Sequence, residues 1–158
     1  MTDVTLSYDP AAAWAAIEAQ HAARTRLADE VRPANKTAIL AALAAAGITS
    51  VVVTFDGSGD SGQIEGVDAR IGENATDFPA TAVEIASPLW DGAGLETRTL
   101  PLAEAIEQLA YDLLEDTHNG WENNEGAFGE FSFDVADHAI RLDYYERIET
   151  SEYSGHEW

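Results

Sequence analysis

Two short stretches concentrate residue types that can do chemistry. The first, FDGSGDSGQIE (Phe55 to Glu65), sets Asp56, Ser58, Asp60, Ser61 and Glu65 among three glycines. Asp56, Ser58 and Asp60 occupy the first, third and fifth positions of a calcium-binding loop, where hard oxygen ligands are needed. The match then fails: Val67 stands where the twelfth-position carboxylate belongs. Asp56, Asp60 and Glu65 remain candidate ligands for Ca or Mg. The competing reading, which is favoured, is a hairpin loop whose Asp and Ser side chains bond their own turn amides while glycines take positive φ. The second stretch, HNGWENNEGAFGE (His118 to Glu130), offers Glu122 and Glu125 as an acid and base pair for a hydrolase, or as metal ligands beside His118. Neither arrangement has a known motif spacing behind it. The plainer reading is a helix exit and loop with Trp121 covering the core edge. His21 and His138 read as structural or surface residues.

Inside the first stretch, GDSG (Gly59 to Gly62) resembles the nucleophile motif of chymotrypsin-like serine proteases. A serine nucleophile requires a histidine base, a carboxylate behind it and an oxyanion hole. The resemblance covers four residues only, and none of the four histidines sits in a recognisable context. Ser61 is therefore not assigned a catalytic role.

The surrounding patterns predict the elements that carry these loops. From Asp9 to Glu30 an alanine-rich helix is expected, with Asp9 as N-cap and Pro10 at the first helical position. A second helix is expected to open at Pro33 and stop at Gly47, packing on the first as an antiparallel hairpin. The period then becomes two. ITSVVVTF (48–55) and QIEGVDARIG (63–72) read as strands, with Gly66 at a bulge, and TAVEIA (81–86) as a third. The connection PLWDGAGLETRTL has no clear period. Leu102, Ile106, Leu109, Ala110, Leu113 and Leu114 make an amphipathic stripe on a helix beginning at Pro101. Two alternating strands close the pattern, AFGEFSFDVA (127–136) and HAIRLDYYER (138–147), each apolar on one face and polar on the other. The order ααβββαββ predicts an α+β fold: an N-terminal helical hairpin and a largely antiparallel sheet of about five strands with one further helix on it. Residues 1–148 are expected to form one domain, and 149–158 an acidic, mobile tail.

Charge is the dominant global feature: 29 acids against 8 bases, a formal −21. Residues 1–50 hold five acids and four bases, which leaves 24 acids and four bases for residues 51–158. Such a surface argues against direct binding of nucleic acid or an anionic membrane, both of which call for basic patches. The absence of cysteine excludes disulfides and thiolate metal sites. Neither a signal-peptide pattern at the amino terminus nor an apolar run of membrane-spanning length is present, so a cytoplasmic location is expected.

FDGSGDSGQIE, WENNEGAFGEFSFDV and the terminal YSGHEW together resemble a family of small acidic proteins of unassigned function from bacterial genomes, phages and plasmids. The resemblance covers roughly residues 48–158. It implies an accessory or mobile-element role and transfers no catalytic residue. Charge and resemblance favour a protein-binding module that presents a negative surface to a basic protein partner. Its narrower form is a DNA mimic that inhibits a nucleic-acid-binding protein of restriction or CRISPR type. Glu104, Glu107, Asp112, Glu115 and Asp116 on the helix and Glu130, Asp134 and Asp143 on the strands are the expected acidic surface. The alternative is a metal-binding protein or small hydrolase using the 56–65 and 118–125 loops, and catalysis is the lesser reading.

Overall fold

The computed structural model describes residues 9–59, 61–123, 125–148 and 153–156. Asp9 caps the first helix, α1 (Pro10–Ala45), by accepting a hydrogen bond from the Ala11 amide. The expected break at Pro33 does not occur: the two helices of the anticipated hairpin are one helix of 36 residues. Proline forfeits one backbone hydrogen bond and crowds the preceding turn. Alanine-rich flanks, an Arg32–Asp29 ion pair of 2.9 Å across that turn and burial of Asn35, Ile39, Leu40 and Leu43 just beyond it outweigh the loss. Gly47, at φ 75°, ends the helix as expected.

Among the described residues seven strands follow: β1 (Ser50–Ser58), β2 (Ser61–Ile71), β3 (Asn74–Thr76), β4 (Ala82–Pro88), β5 (Leu95–Pro101), β6 (Ala127–Asp134) and β7 (Ala139–Glu146). The second helix, α2 (Leu102–Thr117), lies between β5 and β6. The α+β class is as the sequence predicts. The main sheet has the order β3-β2-β1-β6-β7 and every pairing in it is antiparallel. The third expected strand, β4, is not part of that sheet. It pairs with β5, which lies in the segment without a clear period, as a separate two-stranded sheet. Asn35 seals β4 from the helix side: its amide donates to the Ala86 carbonyl and accepts from the Ala86 N–H. It is the one buried polar side chain among the described residues.

One face of the main sheet is covered. Val51, Val53 and Phe55 of β1 and Phe131 and Phe133 of β6 form a single core cluster with Ile39 and Leu43 of α1 and Ile106, Leu109 and Leu114 of α2. The bulge expected at Gly66 is present. The β1–β2 register slips between Thr54, opposite Gly66, and Phe55, opposite Ile64. The Tyr111 hydroxyl of α2 accepts the Ile64 N–H at this bulge, at 2.8 Å. Of the anticipated tail, residues 149–152, 157 and 158 lie outside the described residues.

Candidate functional site

The two chemistry-bearing loops meet at one end of the main sheet. Trp121 is buried and lies across the β1–β2 hairpin, edge-on to Phe55 at 5.5 Å between ring centroids. Gly57 and Gly62 make this possible, because a Cβ on either would collide with the indole. Gly57 and Gly62 are therefore the floor on which the second loop sits. Arg147, at the end of β7, ties the same end together. Its guanidinium donates to the Gly57 carbonyl at 2.9 Å, pairs with Asp56 at 2.9 Å and stacks on the Phe128 ring.

This geometry engages several residues that were candidates for chemistry. Asp56 is held by Arg147, and Asp60 lies outside the described residues. Glu65 is exposed on the rim of a shallow depression of about 390 Å³ shared with Asp56, Ser58, Ser61 and Gln63. Among the described residues no group of three or more His, Asp or Glu side chains is placed to hold a metal. Ser61 donates a long hydrogen bond of 3.4 Å to the Ser58 carbonyl across the turn. His118 stacks on Tyr144 at 3.6 Å, with its Nδ1 3.0 Å from the Thr117 hydroxyl. Burial, followed by the charges of Glu146 and Glu122, raises the Tyr144 phenol above its ordinary value, so it stays neutral at physiological pH. Glu122 has one buried carboxylate oxygen without a hydrogen-bond partner, while Glu125 is exposed.

The other face of the main sheet has no described element packed on it, and here the strand acids come together. Side chains of directly paired residues share a face. Asp134 and Ser50 are paired, as are Ser132 with Val52, Glu130 with Thr54, and Phe128 with Asp56. On β7, Asp143 stands opposite Glu130 and Tyr145 opposite Phe128. On β2, Asp68 stands opposite Val52. Asp134 is within 3.9 Å of Arg141, which also reaches Asp137 at 3.7 Å. Asp68, Glu130 and Asp143 take part in no ion pair among the described residues. Phe128 and Tyr145 are exposed beside them and stack at 5.2 Å. All three expected strand acids thus share one uncovered face. Asp68 joins them although the sequence pattern does not single it out. The bulge at Gly66 shifts the alternation of β2 by one residue, which hides Asp68 from a period-two reading. Arg147 carries no sequence signal at all.

The helix acids are divided. Asp112, Glu115 and Asp116 line a groove of about 720 Å³ between α1, α2 and β4, opposite Arg24 and Arg32. Asp116 lies 3.6 Å from Arg32. Asp112 is exposed as a residue, yet the groove walls desolvate its carboxyl and raise it above its ordinary value, against a hydrogen bond from Gln108 and the charge of Arg32, which lower it. Glu104, exposed, and Glu107, half-buried, lie outside this groove. The helix therefore does not present its acids as one row.

A model for a family of unknown function, DUF6878, matches residues 31–158. The chain belongs to this family. The match takes in both sheets, α2 and the carboxyl-terminal part of α1, so the glycine-rich end and the uncovered acidic face lie wholly inside the family region. The first 21 residues of α1, including Trp14 and Arg24, precede it. No curated protein and no solved structure matches the chain significantly.

Proposed function

We propose that this protein is an acidic binding module whose uncovered sheet face receives a basic protein partner. The observation that carries the reading is the pairing of Glu130 with Asp143 across β6 and β7, with Asp68 on the same face. Like charges directly opposite on adjacent strands destabilise a sheet. Arg141 of the same face pairs with Asp134 and Asp137 rather than with Glu130 or Asp143, so their presence on a face that no described element covers is accounted for by a cation brought from outside. The exposed Phe128–Tyr145 stack adds the rigid aromatic area that interface anchors use, and Arg147 holds it in place. In its narrower form the partner is a nucleic-acid-binding protein and the face competes with DNA phosphates. Strand spacings of about 4.8 Å and alternate-residue spacings of about 6.8 Å suit such a row of charges.

The metal or hydrolase alternative has less support, since Asp56 is committed to Arg147 and His118 is stacked on Tyr144. The test is binding of an arginine-rich peptide, followed across salt concentrations. The triple variant Asp68→Asn, Glu130→Gln, Asp143→Asn is expected to lose most of the affinity and much of the salt dependence. A Glu104→Gln, Glu107→Gln control is expected to lose little. Displacement of a native partner by duplex DNA would support the narrower form. Equal loss in both variants would reduce the reading to bulk charge.

A further inference from the structure

On the covered side of the main sheet, the helices stop short of the β7 edge. Ile140 and Leu142 of β7 and Leu113 of α2 are only half-buried against the core. With Phe131 they floor a groove of about 260 Å³ between α1, α2 and the β6–β7 edge. Arg32 and Lys36, one turn apart on α1, contribute the charged part of its lining. Lys36 is the only lysine in a chain with 29 acids, yet it pairs with no acid among the described residues. Arg32 is bonded to Asp29 and approached by Asp116, but its Nε is buried without an acceptor. Such a donor is costly unless something accepts from it.

We infer that this groove binds a single unbranched amphiphilic carboxylate, its chain on Leu113, Phe131, Ile140 and Leu142 and its head group on Lys36 and Arg32. Charge decides the class. The rest of the molecule repels anions, so an apolar trough carrying two of its eight bases selects an apolar chain ending in a negative head. Size decides the number of chains. The groove is below the roughly 300–1,000 Å³ of pockets for drug-sized ligands and has room for one short chain. Both cations and all the floor residues lie within the family region. This site is on the opposite side of the sheet from the proposed partner surface and stands or falls separately from it.

The experiment is an NMR titration of the intact chain with butanoate, hexanoate, octanoate and 1-octanol, read at the methyls of Leu113, Ile140 and Leu142. Each added methylene is expected to tighten carboxylate binding about fourfold until the groove is full. Octanol should bind about tenfold more weakly than octanoate, as the loss of a charge-assisted contact implies. Lys36→Gln should weaken octanoate by a similar factor and leave octanol unchanged. The groove-filling variant Leu142→Phe, checked for a native thermal transition, should abolish both. The inference is overturned if no saturable shift reaches these methyls at millimolar octanoate, or if octanol binds as well as octanoate. It is equally overturned if Lys36→Gln is silent.

Discussion

A Cβ added at Gly57 would lie 2.6 Å from the buried Trp121 ring and 3.1 Å from the Glu122 Cα, so the strand or the indole would have to shift. Gly57→Ala is therefore expected to destabilise the fold by about 1–3 kcal/mol, measured by urea unfolding. Gly59→Ala instead meets open space, and its cost comes from its φ of 59° alone. Arg147 is equally specific. A lysine cannot reproduce its planar grip on the Gly57 carbonyl and Asp56 or its stack on Phe128. Arg147→Lys should cost about 1–3 kcal/mol and leave the hairpin amides less protected in hydrogen exchange. Asp112 gives a pH signature. Its folded-state pKa is raised, chiefly by desolvation in the groove, so its ionisation opposes folding as pH rises through the interval above 3.8. Asp112→Asn should accordingly stabilise the protein at pH 7, and the gain should fade on acidification through that interval. At this scale the sequence was half legible. Trp121 over the core edge and the glycines of a hairpin follow from residue type, but the Asp56–Arg147 pair joins positions too far apart for any local pattern to link.

Pro33 shows how element boundaries depend on tertiary packing. Local chemistry places a helix start there, and the structure runs straight through, because Asn35, Ile39, Leu40 and Leu43 are anchored immediately afterwards. Pro33→Ala should restore the missing hydrogen bond and raise stability by up to about 3 kcal/mol without changing the fold. Asn35 acts on the neighbouring element. Asn35→Ala would strip the Ala86 N–H and carbonyl of their partners on an edge strand, at about 1–3 kcal/mol and with faster exchange at Ala86. The strands themselves were legible from alternation, and the bulge from Gly66. Their assignment to sheets was not. TAVEIA alternates in the same way whether it joins the main sheet or pairs with β5, and the LETRTLP strand is too polar to announce itself, since only Leu100 of β5 is buried.

Across the whole molecule, charge and fold are laid out in opposition. The near-neutral first 50 residues supply α1, while the strongly negative remainder forms the sheets and α2. Raising salt from low to physiological concentration should raise the thermal midpoint by screening this repulsion, and a flat response would show that native pairs already balance it. The negative charge was fully legible in composition, whereas its division was not. The strand acids gather on one uncovered face, but Asp112, Glu115 and Asp116 turn into a groove with arginines. The proposed binding therefore depends on that sheet face rather than on net charge. Its most direct test is the single substitution Asp143→Asn, with stability and arginine-rich-peptide binding measured on the same sample. Relief of the Glu130–Asp143 repulsion together with loss of affinity is the expected result, because the proposed reading ties both effects to the same pair of opposed carboxylates. Unchanged binding with the same gain in stability would contradict the account.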